Sequence, residues 1–435
     1  MFSQLGLSPA ACASLTRLGY ETPTPIQTQA IPLVLTGVDL LARAQTGTGK
    51  TAAFGLPMIE RLVAQNPARG HATTRALVLV PTRELAVQVH QSLAAYARPT
   101  RLRVLPIYGG VSMSGQIQAL RRGADIVVAT PGRLIDHLQR RTIDLSHVEV
   151  LTLDEADRML DMGFLPALRR IAAALPRQRQ TLLFSATLSD AIIRLSSEFT
   201  RDAARVDVSV RQVVAANVAH HVHHVAVDRK RDLLTHILTE GGGSQALVFC
   251  RTKRGANRVG EDLDRRGVRA GVIHGNKSQG ARGRALDDFK TGRVKVLVAT
   301  DIAARGLDIP HLPLVVNFDL PLVAEDYVHR VGRTGRAGQH GRAVSLVTSS
   351  EAGLLKQIQQ VVATPLERMA TPFAGDATDA RRVESAPAGT RPGHRSAFQP
   401  ARRKPHGYQS QSRHNGARGR RSGGRAAVPG RSSAA

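Results

Sequence analysis

Residues 148–157 read VEVLTLDEAD. A mainly apolar run ends in two adjacent carboxylates, Asp154 and Glu155, with a third, Asp157, two residues on. Such a run reads as a strand buried on both faces, as in a parallel sheet covered by helices. Its acids then fall at the carboxyl end of the strand, the edge where open α/β sheets hold ligands. ALVLVP (76–81), DIVVATP (125–131) and TLLFSAT (181–187) are runs of the same kind. Each is followed by a polar or glycine turn and then an amphipathic stretch, the pattern of parallel βα units. The pattern pauses near 200–218 and restarts with QALVFC (245–250), AGVIHG (270–275), VKVLVATD (294–301), LVVNF (314–318) and RAVSLVT (342–348). The expected fold class is therefore α/β, with two parallel-sheet domains in tandem over residues 1–205 and 219–368 and a linker at 206–218.

Composition fixes the class of partner. Lys and Arg total 60 against 34 Asp and Glu, for a net charge of +26. That excess favours polyanions, nucleic acid above all, over an anionic membrane surface. From Thr371 to the end the chain has 12 Arg and one Lys against two Asp and one Glu. The segment 369–435 is rich in Gly, Ser, Pro and Arg and poor in large apolar residues, so it is expected to be a disordered basic tail. The two cysteines, Cys12 and Cys250, stand far apart and form no CxxC, which speaks against a disulfide framework or a cysteine zinc site. The first residues lack a signal-peptide pattern, and no apolar run approaches the roughly 20 residues of a membrane span. A soluble, cytoplasmic protein is expected.

AQTGTGKT (44–51) lies between a short strand, VDLLARA, and a helix, AAFGLPMIERL. Backbone N–H groups around Gly47, Thr48 and Gly49 can cradle phosphates at the helix start. Lys50 would reach the terminal phosphates and Thr51 would hold Mg²⁺. Ala44 stands where the phosphate-loop pattern has its first glycine. Asp154, directly after an apolar strand, suits the second Mg²⁺ contact, and Glu155 suits orienting water or accepting its proton. The alternative, a solvated acidic helix start, is weak with the phosphate loop upstream.

Asp154-Glu155-Ala156-Asp157, with the motifs around it, resembles the DEAD-box ATP-dependent RNA helicases over roughly residues 1–365. The likeness is strongest to the bacterial RhlE type, through DEADRMLDMGF (154–164) and HGNKSQGARGRAL (274–286). The resemblance implies two RecA-like domains, ATP and Mg²⁺ as cofactors, and RNA as partner. GYETPTPIQ (19–27) is similar to the Q motif, whose glutamine, here Gln27, reads adenine; a Gln amide can pair with adenine N6 and N7. Residues 1–29 carry that motif, with Tyr20 or Phe2 expected near the base and plain core packing as the alternative reading. The nucleotide loop runs through Ala44, Gln45, Thr46, Gly47, Thr48, Gly49, Lys50 and Thr51. PTRELA, Gly109-Gly110 and TPGR imply RNA contacts by Arg83, Gly110, Thr130 and Arg133. In the second domain FCRTK, QGAR and ATDIAARGLDI imply RNA contacts by Lys253, Gln279, Arg282 and Thr300, with Asp308 binding the ribose or positioning the arginines. HRVGRTGR (329–336) implies Arg336 as arginine finger with Arg333 beside it, where a guanidinium offsets charge developing on the transferring phosphoryl group. Asp157, Ser185, Thr187 and His329 are the implied coupling residues, the hydroxyls of Ser185 and Thr187 bonding Asp157.

His220, His221, His223 and His224 could suggest a metal, but their alternation with Val222 and Val225 reads as a strand. Two other functions compete. A DNA translocase on the same core is disfavoured by the Q motif together with DEAD and SAT. A non-catalytic RNA scaffold is disfavoured by Lys50, Glu155 and Arg336. Whether RNA or DNA stimulates ATPase separates the first. Ribosomal and mRNA-decay assemblies stand as candidate partners that the sequence does not choose between.

Overall fold

The structure, a computed structural model, describes residues 1–45, 47–65, 73–208, 218–240, 243–304, 309, 312–335, 340–362 and 364–372. Seven strands make the first sheet: β1 Leu40–Arg43, β2 Ala76–Leu79, β3 Val104–Ile107, β4 Ile126–Ala129, β5 Val150–Leu153, β6 Gln180–Ser185 and β7 Ala204–Asp207. Seven make the second: β8 Val218–His224, β9 Ala246–Phe249, β10 Ala270–Ile273, β11 Val296–Ala299, β12 Leu314–Asn317, β13 Gly341–Val347 and β14 Glu367–Met369. The first runs β3-β4-β2-β5-β6-β1-β7 and the second β10-β11-β9-β12-β13-β8-β14. Every pairing is parallel. Shifted by seven, the two orders are identical, so the chain folds as one topology used twice.

Burial explains the apolar runs. In the first sheet Leu40, Ala76, Val78, Ile126 and Val128 face one core, with Phe54 and Leu93 of the covering helices. Leu41, Leu77, Leu79, Val127 and Leu151 face the other, with Met159, Leu168 and Ile192. Successive strand residues point to opposite faces, and both faces are covered, so no polar alternation appears. The second sheet is built alike, with Val248, Val298 and Val316 on one side and Leu247, Leu297 and Val315 on the other.

Three boundaries differ from expectation. β7 continues to Asp207 and pairs with β1, so the first domain runs past 205. Val218, expected in the linker, opens β8, and Met369, expected in the tail, closes β14. The histidine run is β8: His220 is buried with Nδ1 3.0 Å from the Tyr327 hydroxyl, and His223 Nδ1 lies 3.1 Å from the Ala370 carbonyl. Among the described residues no group of His, Cys, Asp and Glu is arranged to hold a metal, and no helix is long and apolar enough to cross a membrane. The tail beyond Pro372 lies outside the described residues.

Candidate nucleotide site and nucleic-acid interface

The phosphate loop leaves β1 and enters the helix Lys50–Ala64. Gly47 and Gly49 have φ of 85° and 91°, a region where side chains are strained. A Cβ on Gly49 would collide with the Gln27 amide, so glycine is required there twice over. Ala44 is different: it is buried in the core and its φ is not positive, so the missing first glycine costs nothing. Thr46 lies outside the described residues. Gln45 is exposed and its carbonyl accepts the Thr48 hydroxyl at 2.8 Å.

Lys50 is 6% exposed, and its Nζ makes no hydrogen bond; the nearest partner is Asp154 Oδ1 at 3.9 Å. A buried ammonium with three unused donors at a helix N-terminus is a site short of an anion. Asp154 directly follows β5, and burial pushes its carboxyl up to about 6 against the pull of Lys50. Half-buried Thr51, the next residue, supplies a hydroxyl. A carboxylate and a hydroxyl are hard oxygen donors of the kind Mg²⁺ takes alongside phosphate and water. Glu155 is held at φ 52°, the left-handed region, and its amide donates to Asp154 Oδ1 at 3.0 Å. A non-glycine residue there is a local strain of the sort that collects at functional sites.

Gln27, in the helix Pro25–Thr36, accepts from the Thr24 amide (2.9 Å) and donates to the Gly49 carbonyl (3.1 Å). One lone pair and one hydrogen of the amide are left over, which is what a bidentate base contact uses. Phe2 and Tyr20 pack as core: Phe2 lies edge-on to Tyr20, whose hydroxyl is 2.7 Å from that of Tyr96.

Asp157 holds the loop after β6. Its Oδ2 accepts from the amides of Ala186 (3.0 Å) and Thr187 (3.1 Å) and from the Thr187 hydroxyl (3.4 Å). Ser185 departs from expectation: its hydroxyl accepts the Thr187 amide at 3.3 Å instead of bonding Asp157. The link is therefore mainly main-chain.

From the second domain, His329 meets the charges of Asp157, Glu155 and Asp161. The ring keeps an exposed surface, yet desolvation lowers its pKa, with Asp157 and Glu155 opposing. Arg333 is buried beside it, lining a recess with Phe249, Asp301, Ala304, His329 and Arg330. Arg336 and Asp308 lie outside the described residues. Arg330 is a residue the sequence did not single out. It forks onto Asp301 at 2.6 and 2.7 Å, donates to Asn317 Oδ1 at 3.0 Å and to the Asp319 carbonyl at 2.6 Å, and lies over the Phe249 ring. It is a structural arginine between two motif residues, indistinguishable from them by type.

The expected RNA contacts gather at the carboxyl edges of the two sheets. Arg83 lies against Gly109 and Gly110, the latter at φ 84°, so the glycines admit the guanidinium. Arg133 is spent differently from expectation: it donates to the Val111 carbonyl (3.2 Å) and Gln116 Oε1 (2.9 Å), which makes it a brace for that loop. Gln116 in turn donates to the Tyr108 carbonyl and meets buried His137 at 3.1 Å. Thr130 follows β4 and Thr300 follows β11. Lys253 donates to Asn276 Oδ1 at 2.8 Å. Gln279 and Arg282 reach across to the first domain, onto Glu84 at 3.0 and 2.8 Å. Gln279 Oε1 and Arg282 Nε stay without a hydrogen-bond partner.

Dividing a nucleotide site between two copies of one fold, with basic residues along the shared edge, is the plan of a helicase core. The DEAD/DEAH box helicase family model matches residues 24–195, and that of the helicase conserved C-terminal domain matches 229–338. The DEAD-box ATP-dependent RNA helicase CshA of Geobacillus kaustophilus is 44% identical over 381 residues, 88% of this chain and 80% of that protein. CshA of Bacillus subtilis is 43% identical over 88% of this chain and 76% of its own length. S. cerevisiae Dbp5 bound to RNA and ADP BeF3 superposes with a TM-score of 0.76 at 31% identity, covering 88% of this chain and 98% of that one. Mss116p bound to ssRNA and AMP-PNP, at 24% identity and TM-score 0.77 over 88% and 81% of the chains, shares the fold. The chain belongs to the DEAD/DEAH box helicase family, and its two domains are RecA-like.

Proposed function

We propose that this protein is an RNA-dependent ATPase that locally unwinds or remodels RNA duplexes and RNA–protein complexes, coupling ATP binding and hydrolysis to closure of its two RecA-like domains. The observation that carries it is Lys50: a buried cation without hydrogen bonds, on a glycine loop, facing the acids after β5. Gln27 reads adenine with its spare amide hydrogen and lone pair. Lys50 and the amides of the loop hold the β and γ phosphates. Thr51 and Asp154 would hold Mg²⁺, which would supply neutralisation of phosphate charge there. Glu155 takes the proton of the attacking water, and Arg333 and Arg336 approach the γ phosphate from the second domain.

The RNA lies along the edge formed by Arg83, Gly110, Thr130, Lys253, Gln279, Arg282 and Thr300. Each ligand bridges both domains, so each favours the closed state and hence the other. Asp157 and His329 carry that closure to the loop at Ser185 and Thr187. The HGNKSQGARGRAL segment supports an RhlE-type member. The bacterial relatives support action in a bacterial cytoplasm. Ribosomal and mRNA-decay assemblies are the partners to test first, by crosslinking bound RNA in cells. The core reading is tested by ATPase with and without RNA, in wild type and Glu155→Gln. RNA should stimulate the wild type strongly. Glu155→Gln should keep ATP and RNA binding while nearly abolishing turnover. Turnover unchanged by RNA, or a normally active Glu155→Gln, would overturn it.

A further inference from the structure

The edge of the first sheet opposite the nucleotide carries a second basic surface. From Arg98 to Ala124 the sequence has five arginines, at 98, 101, 103, 121 and 122, and neither Asp nor Glu. All five are exposed. Arg98 caps the helix Arg83–Ala97, and Arg101 and Arg103 lead into β3; Arg121 and Arg122 end the helix Met113–Arg121 just before β4. β3 and β4 pair in register from Val104 and Ile126, which brings both segments to one corner. Arg103 joins them by donating from its guanidinium to the Arg122 carbonyl.

Several exposed arginines elsewhere on this molecule carry carboxylate partners: Arg169 with Glu198, Arg266 with Asp232 and Asp262, Arg293 with Asp288. At this corner Arg98, Arg101, Arg121 and Arg122 have no side-chain hydrogen bond or ion pair among the described residues. The nearby acid, Asp125, is already engaged by the Arg103 amide at 2.7 Å. Like charges left together without a counter-ion repel one another, and a polyanion is what relieves that repulsion. β3 runs from this corner to the Gly109–Gly110 loop, six residues of extended chain or roughly 20 Å.

We propose that Arg98, Arg101, Arg121 and Arg122 form an accessory site for RNA phosphates, which holds the strand flanking the segment bound at the helicase edge. The proposal rests on the RNA-binding reading above. Contacts of this kind add affinity and position without reading sequence.

The test uses the full chain with Arg101→Ala, Arg121→Ala and Arg122→Ala combined. A control, Arg17→Ala, Arg170→Ala and Arg194→Ala, removes the same charge from other exposed positions. Binding by fluorescence anisotropy and RNA-stimulated ATPase are read with a short single strand that just saturates ATPase, and with the same strand extended at either end. The corner variant should keep wild-type kcat and short-strand affinity. Its affinity for one of the extended strands should fall about fivefold or more at low salt, and its salt slope should flatten by roughly 2, for three phosphates at about 0.7 each. Unchanged affinity for both extended strands, equal loss for short and extended strands, or equal loss in the control would each overturn the accessory site. A wild type that binds no RNA at all would instead overturn the function on which it rests.

Discussion

Arg282 of the second domain grips Glu84 of the first, Nη2 to Oε2 at 2.8 Å, with both side chains less than a tenth exposed. Gln279 adds a bond to the other carboxylate oxygen. Two residues expected to meet RNA thus also tie the domains together, and Glu84 sits one residue after Arg83, itself packed on the glycine loop.

Removing one partner of a buried pair leaves a charge without compensation, a loss of about 3–5 kcal/mol. Here the loss falls on the joined state of the domains, since each partner belongs to a different core. Glu84→Ala and Arg282→Ala should each raise the RNA concentration for half-maximal ATPase, with thermal melting of the domains little changed. The double variant should be no worse than the poorer single one, as a double-mutant cycle reads for partners in contact. Fully additive losses would show that the two act separately.

Arg330 and Arg336 lie in one motif, HRVGRTGR, and should fail in different ways. Arg330→Ala strands Asp301 and opens a hole over Phe249, so the second domain should lose on the order of 3–5 kcal/mol of stability. Arg336→Ala should keep the wild-type melting curve and lower kcat on the order of 10³-fold, as loss of an arginine finger does. Calorimetry and single-turnover ATPase on both variants separate the roles; a stable Arg330→Ala would remove the structural one.

His220 is buried, its Nε2 has no hydrogen-bond partner, and burial lowers its pKa. In the unfolded chain its pKa is about 6.5. Below that value the unfolded state takes up a proton that the folded state resists, so stability falls with pH from about 6.5 down to the lower folded value. Above about 6.5 it contributes no slope. His220→Phe should flatten the urea midpoint of the second domain between pH 7 and 5. An unchanged slope would assign the acid sensitivity to other groups.

A chain ending near residue 370 should keep kcat at saturating RNA, since the basic tail carries none of the site residues. Its net charge of +10 should act through phosphates. If about five tail arginines engage RNA, its removal should flatten the salt slope by roughly 3–4. RNA affinity equal to full length at every salt would make the tail a solubilising segment. A lost kcat would place the end of the second domain beyond 370.

The strands buried on both faces were legible because their runs are mainly apolar, without a single polar residue in ALVL of β2 and IVVA of β4. β3, β7 and β14 were not. β3 holds Pro106, which suits an edge strand and reads as a break. ARVD and ERM are short, charged edges. The nucleotide loop was legible as local spacing along the chain. The Arg330–Asp301 fork, the Glu84 contacts and the Arg133–Gln116–His137 brace were not, because each joins residues by folding alone.

Using one strand order twice has a consequence for how the molecule can change. Each half encloses its own apolar cores, so the halves can turn against one another while every strand keeps its neighbours. The copies have diverged where it matters: after β1 the chain forms a glycine cradle, while after the matching strand β8 it runs into Val225 and a short turn at Val227–Arg229. Triphosphate therefore has one docking orientation on a nearly symmetric frame. The difference between the two halves is thus set by a few loop residues, and the strand order itself is free of it.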